Sequence, residues 1–259
     1  VITGASSGLG SALAKEIDRR FPGSTFMLIA RREDRLRKLA DDLAGARCEC
    51  APLDVTDARA LSAACRGFVD RHGPPDMVIA SAGVSAGTLT GIAEDRAVFR
   101  RILAVNLLAV FDTFAPFIPS MRAARRGTLV GIGSVAGIRG LPGAEAYSAS
   151  KSALMTYLES LRVGLRGSGI AVVCIVPGFI RTEMTAGNDY PMPFLMPADD
   201  FARRAVDAIL RKQSRRTIPW QMAWVARALS LLPRSLYDRL FANAPRKARQ
   251  PSLGSDNEN

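Results

Sequence analysis

Apolar residues recur along this chain in two alternating rhythms, and the alternation predicts its architecture. From Gly8 to Phe21 they fall at helical spacing, Leu9, Leu13, Ile17 and Phe21, and Pro22-Gly23 ends the run. Thr25 to Ala30 is a short apolar strand, Glu33 to Leu43 a charged helix, and Arg47 to Leu53 another strand. Asp57 reads as the cap of a helix running towards His72. Asp76 to Ala80 then reads as a buried strand, with Ser81-Ala82-Gly83 after it. A helical stretch follows over roughly Glu94 to Arg122, interrupted by Pro116 and Pro119. Gly127 to Ser134 is strand, Tyr147 to Leu165 helix and Ile170 to Val176 strand, stopped by Pro177-Gly178. Strands alternating with helices predict an α/β fold: a Rossmann-like, doubly wound parallel sheet covered on both faces.

Composition narrows this to one large domain. The 259 residues are 48% hydrophobic and 23% charged, with no composition break before the C-terminal fifth and no apolar run of membrane-spanning length. We expect residues 1–220 to form the domain, 221–242 an amphipathic helical extension, and 243–259 a polar tail without fixed structure. The start at Val1 leaves only a short strand before the first glycines, so the N-terminus reads as trimmed. The four cysteines, Cys48, Cys50, Cys65 and Cys174, have no zinc-type spacing, and His72, in a turn cluster, is the single histidine. No metal site is expected, and free cysteines fit a reducing cytoplasm.

Charge is unevenly placed. The net charge is +11, and residues 200–249, with ten Arg and two Lys against three Asp, hold +9 of it. No nucleic-acid motif accompanies the basic region, which is interleaved with Trp and Leu, so nucleic acid is not an expected partner. Beyond Pro219 the apolar positions Trp220, Trp224, Val225, Leu229, Leu232, Leu236, Leu240 and Phe241 alternate with Arg227, Arg234 and Arg239. Three uses stay open: a core or dimer lid, an interfacial helix on anionic lipid with weak peripheral membrane association, and a cap at the substrate entrance.

Candidate chemistry gathers in three places. Thr3-Gly4-Ala5-Ser6-Ser7-Gly8-Leu9-Gly10 follows a strand end and opens a helix; its glycines let backbone approach a pyrophosphate that the helix N-terminus attracts. Tyr147 and Lys151 lie four residues apart, on one helix face. Action of a phenol near pH 7 asks for about 3 units of lowering, or ~4 kcal/mol. A unit charge about 4 Å away at an effective dielectric of ~20 supplies that much, so Lys151 is expected to depress the Tyr147 phenol. Ser134 stands upstream at a strand end and Asn106 inside the long helix. Taken singly, the four also suit a strand-end hydroxyl, a helix kink, a helix-start aromatic and a solvated cation.

With the motifs in this order, residues Val1 to about Trp220 resemble the short-chain dehydrogenase/reductase family, in its branch with Thr-Gly-x-x-x-Gly-x-Gly and Tyr-x-x-x-Lys. The resemblance implies Ser134, Tyr147 and Lys151 as catalytic residues and Asn106 as the structural and proton-relay asparagine. It implies cofactor contacts from Gly4, Ser6, Ser7, Gly8, Leu9 and Gly10, and an adenine contact from Asp54 beside Val55. Ser81, Ala82 and Gly83 stand where the family usually has Asn-Ala-Gly, and Pro177, Gly178, Ile180 and Thr182 match the loop that holds the nicotinamide amide. After the second strand, where an acidic residue would select NAD, the chain has Arg31 and Arg32, so NADP(H) is the expected cofactor. The expected enzyme moves a hydride between nicotinamide and a carbonyl or alcohol. The Met-rich segment with Met184, Tyr190, Met192, Pro193, Leu195 and Met196 suggests an apolar ketone, aldehyde or 3-oxoacyl compound. Relatives commonly form dimers or tetramers, so a homodimer or homotetramer is expected. A protein that senses NADP(H) without turnover is the alternative.

Overall fold

The computed structural model describes residues 1–43, 45–188 and 190–253. Its centre is a seven-stranded parallel sheet. In chain order the strands are β1 Ile2–Thr3, β2 Thr25–Ala30, β3 Arg47–Pro52, β4 Met77–Ala80, β5 Thr128–Ile132 and β6 Ala171–Pro177. A small pair, β7 Ile180–Arg181 and β8 Met196–Pro197, lies apart, and β9 Arg215–Ile218 closes the main sheet in the order β3-β2-β1-β4-β5-β6-β9. The order reverses direction between β1 and β4, where Thr3 pairs with Ile29 on one side and Ala80 on the other. Crevices open at such a switch point, beyond the carboxyl ends of the strands.

Helices cover both faces because the central strands are apolar on both. One layer holds α1 Gly8–Arg20, α2 Glu33–Asp42 and α9 Ala198–Leu210, packed through Leu13, Leu36, Leu39, Phe201, Val206 and Ile209. The opposite layer holds α3 Ala58–His72, α4 Asp95–Leu103, α5 Ala109–Phe114, α6 Ile118–Ala124 and α7 Glu145–Gly164. Its core includes Leu61, Phe68, Phe114, Met121, Leu154 and Leu158. Asp57 caps α3 as expected, its carboxylate accepting from the Ala60 amide at 2.9 Å. Glu16, 7% exposed, accepts from Arg19 and Arg20, and Arg20 also reaches Asp207, which ties α1 to α9.

Three features depart from the expected pattern. The stretch expected as helix from Glu94 to Arg122 is broken into α4, a π-helical turn Ala104–Leu108, α5 and α6. The break before α6 falls at Pro116, as expected, with Pro119 in the first turn of α6; the departure is the π turn at Asn106, with no proline nearby. The edge strand β9 was not expected, since Arg215-Arg216-Thr217-Ile218 offers little apolar signal. The third departure is the segment 243–253, expected to lack fixed structure. The Ala248 carbonyl accepts from the Gly87 amide at 2.8 Å, Arg249 pairs with Asp95, and Leu253 packs on a small core with Val98, Ile102 and Ala146. Residues 254–259 of that expectation lie outside the described residues. Three further helices, α8 Glu183–Ala186 and the consecutive α10 Trp220–Leu231 and α11 Arg234–Phe241, complete the described elements.

Candidate active site

A cleft of about 390 Å³ opens over the carboxyl ends of β1, β2, β4, β5 and β6. Every catalytic and cofactor-binding residue expected from the sequence lines it except Asn106, which lies fully buried behind it; of the Met-rich segment, Met184 lines it and Tyr190, Met192, Pro193, Leu195 and Met196 do not. The floor is the turn from β1 into α1. Gly4 has φ +67°, and a side chain there would meet Ala82 Cα at 2.7 Å; one at Gly10 would meet the Gly4 carbonyl at 2.3 Å. Only bare backbone fits, which keeps the α1 amides open to a ligand. The first turn of α1 carries no acidic side chain to compete for them. Thr3 Oγ1 accepts from the Ser81 and Ala82 amides at 3.1 and 3.2 Å, locking the β4 loop to this floor. Ser81 Oγ is buried with no hydrogen-bond partner among the described residues, a polar atom set for a ligand in the cleft. These features fit a pyrophosphate-bearing dinucleotide.

Polar anchors stand at the end near β2 and β3. Arg32 Nη2 donates to Ser7 Oγ at 2.9 Å and Ser6 Oγ at 3.2 Å, while Arg31 Nη1 lies 4.0 Å from Asp54 Oδ2. Asp54 also binds Arg101, 2% exposed, at 2.5 Å and accepts from the Thr56 amide and hydroxyl. Burial raises the Asp54 carboxyl, but Arg101 and Thr56 together hold it below the usual carboxylate range. Arg101 and Thr56 were not singled out from the sequence. An arginine inside a helical pattern carries no signal that it will be buried against a carboxylate 47 residues away.

The reacting groups meet at the other end. Ser134 caps the 3₁₀ turn Val135–Gly137, its Oγ accepting from the Ala136 amide at 3.1 Å. The Ser134 hydroxyl stands beside the Tyr147 phenol and pulls its pKa down. Lys151, 5% exposed, lies with Nζ 5.9 Å from the Tyr147 ring centroid, on the same face of α7. Its ammonium donates to the Ile132 carbonyl at 2.7 Å. The expected electrostatics are altered here. Burial pushes the Tyr147 phenol above its ordinary value, and the charge of nearby Tyr190 adds to the rise; the opposing pull comes from the Ser134 hydroxyl, not from Lys151. Burial also lowers Lys151 itself to about 8. Asn106 in the π turn accepts from the Val84 amide at 2.9 Å and donates to the Val84 carbonyl at 3.0 Å and Ser150 Oγ at 3.1 Å. It fastens the β4 loop to α7 one residue before Lys151.

The remaining wall comes from the segment after β6. Thr182 lies over Gly8, and Glu183, Met184 and Thr185 face the cleft. Tyr190 packs edge-on against Phe179 with centroids 6.3 Å apart, and Met196 is buried beside Ile180 in the β7–β8 pair. Among the described residues no group of His, Cys, Asp and Glu is arranged to hold a metal. Cys48 and Cys50 pack against the core, and His72 ends α3 with Nε2 2.6 Å from Glu49.

Comparison with known proteins agrees with this geometry. The short chain dehydrogenase family model matches residues 1–191. An uncharacterized oxidoreductase of Myxococcus xanthus (strain DK1622) is 42% identical over 240 residues, covering 92% of this chain and 94% of that one. A 3-oxoacyl-[acyl-carrier-protein] reductase of Chlamydia muridarum is 30% identical over 191 residues, 72% of this chain and 75% of the relative. Among solved structures, a short-chain dehydrogenase from Sphingobium yanoikuyae in complex with NADPH superposes with TM-score 0.76 at 28% identity, covering 90% of this chain and 96% of that one. A metagenomic short-chain oxidoreductase in complex with NADP gives TM-score 0.71 at 29% identity, with 84% and 95% covered. With a glycine-lined phosphate floor, Ser134, Tyr147 and Lys151 in one cleft, and a family match across most of its length, the chain belongs to the short-chain dehydrogenase family.

Proposed function

We propose that this oxidoreductase is NADP(H)-dependent and interconverts an apolar ketone, aldehyde or 3-oxoacyl compound with its alcohol. One observation carries the reading: Ser134, Tyr147 and Lys151 stand together at one end of the cleft whose floor fits a dinucleotide. NADP(H), when bound, supplies or accepts the hydride. The phenol, held protonated through neutral pH, gives its proton to the carbonyl oxygen during reduction. Ser134 Oγ–H orients that oxygen. Lys151 Nζ, anchored at Ile132, grips the ribose hydroxyls, and Asn106 keeps the β4 loop and α7 in register. Arg31 and Arg32 supply the guanidiniums for a 2′-phosphate. Met184 on the cleft wall and the Phe179–Tyr190 pair beside it favour an apolar substrate. The Chlamydia relative is named for reduction of such a 3-oxoacyl group.

Tyr147→Phe tests the reading. NADPH oxidation against carbonyls graded by chain length is expected to fall by 10³ or more, on the order of a lost general acid plus its hydrogen bond, with the NADPH dissociation constant kept. Unchanged function in the variant would favour the sensor alternative. The reading extends to the assembly. Leu108, Phe111 and Val163 are more than half exposed, with Phe111 6.3 Å from Tyr157 of α7, which supports a homo-oligomer closed over this face. Exposed tryptophans on α10 support a second contact, with an anionic membrane surface. Four free cysteines are consistent with a cytoplasmic setting.

A further inference from the structure

Two arginines that follow β2 are tied to a carboxylate from the opposite wall of the cleft. Glu183, the first residue of α8 and 62% exposed, accepts from Arg35 Nη1 at 2.6 Å and has Arg32 Nη1 at 3.6 Å. Arg32 keeps its other terminal nitrogen on Ser7 and Ser6 of the phosphate loop. The two guanidiniums hold the Glu183 carboxyl below its usual range. Glu183 therefore lies across the mouth of the cleft, between the phosphate floor and the segment that brings Thr182 over Gly8.

Building on the NADP(H) reading, we infer that Glu183 is a specificity-determining residue whose carboxylate engages Arg32, one of the two guanidiniums that a 2′-phosphate would take, and is held there by Arg35. Carboxylate and phosphate are alternative partners for the same planar donor fork. Two anions side by side repel, so entry of the phosphate exchanges one ion pair for another. The pair between Glu183 and Arg35 is solvent-exposed on both sides, at 62% and 38%, and such pairs are weak enough to be displaced. NADH has no phosphate at this position and leaves the pair intact. Glu183 thus lowers the affinity for the phosphorylated cofactor selectively, a role with no local signature because the residue lies 148 positions from Arg35.

Isothermal titration calorimetry of NADPH and NADH against wild type and Glu183→Gln tests this without turnover. Removing one negative charge beside the phosphate is expected to tighten NADPH roughly three- to tenfold and leave NADH within about twofold. Equal tightening of both nucleotides, no change, or weaker NADPH binding would overturn the inference. A wild-type protein that prefers NADH would remove the NADP(H) reading by itself. In that event NADPH tightened in Glu183→Gln still marks Glu183 as the residue working against the phosphate, and NADPH unaltered removes the inference as well.

Discussion

At the residue scale, the Tyr147 phenol is held between two opposed influences, and their balance sets the pH at which it reacts. Burial, and to a smaller extent the nearby Tyr190, disfavours the phenolate, while the adjacent Ser134 hydroxyl favours it. The net direction is upward, which suits an acid that must stay protonated for carbonyl reduction. Alcohol oxidation needs the phenolate, so its rate should climb as pH rises through the phenol's pKa. Ser134→Ala removes the one influence that lowers that pKa. The climbing limb of oxidation is therefore expected to move to higher pH, and the alkaline fall of reduction with it. The loss of the orienting hydrogen bond should also reduce kcat by roughly 10². Steady-state profiles of kcat against pH in both directions check this; a limb that stays in place or moves towards acid would show that Ser134 does not act on the phenol. The identities of these residues were legible in the sequence because spacing along one helix face survives folding unchanged. Their electrostatics were not. The Lys151 ammonium was expected to act on the phenol, yet it donates to the Ile132 carbonyl, an acceptor that only the β5–α7 packing supplies.

At the scale of elements, the strands and helices that were legible are those with strong apolar periodicity. Thr25–Ala30 matches its predicted range, and Arg47–Pro52 and Glu33–Asp42 stop one residue short of theirs. The missed edge strand β9 is half arginine and takes its place through pairing with β6, a long-range effect with no local signature. The C-terminal strap was missed for a similar reason. Polar composition from 243 onward reads as a tail, but Arg249 makes three hydrogen bonds to Asp95, which is 3% exposed and also accepts from the Leu89 amide. Arg249→Ala leaves a buried carboxylate without its cation. Because Arg249 itself is 37% exposed, a modest destabilisation is expected, well short of the full buried-pair penalty. Asp95 is held below its ordinary pKa chiefly by Arg249, so this stabilisation is present above the ordinary aspartate range and disappears as pH falls through the depressed value. Urea unfolding at pH 7 and under acid conditions reads both terms. Equal stability of wild type and variant at pH 7 would show that the strap does not hold the β4 loop.

At the scale of the whole molecule, the sheet and both helical layers serve one end of the strands, and the opposite problem is what covers the apolar surface left outside. Trp220 and Trp224 are 55% and 66% exposed and stand four residues apart on one face of α10, with Leu231 at 73% and Leu240 of α11 at 61%. Arg204, Arg211 and Arg216 surround a shallow pocket that ends at Trp220, and Arg227 shares the exposed face. Among the described residues no single helix is long and apolar enough to cross a membrane; the proposed surface contact rests instead on the exposed indoles beside arginine. A second copy of the chain would bring the same positive charge against itself, whereas a bilayer with anionic headgroups offers the opposite sign and an interfacial place for indole rings. Co-sedimentation with vesicles of phosphatidylglycerol and phosphatidylcholine is expected to retain the protein on the anionic vesicles alone, and raising the salt concentration should release it. Trp220→Ser with Trp224→Ser should weaken that retention by on the order of tenfold or more, from the indole area lost. Light scattering on the same samples reads the assembly. A wild-type particle of two or four chains of 27.8 kDa, unaltered in the double variant, places self-association on the Leu108–Phe111 face and leaves α10 free for lipid. A double variant that drops to a monomer, or wild type that ignores lipid charge, would assign the exposed tryptophans to the interface between copies instead.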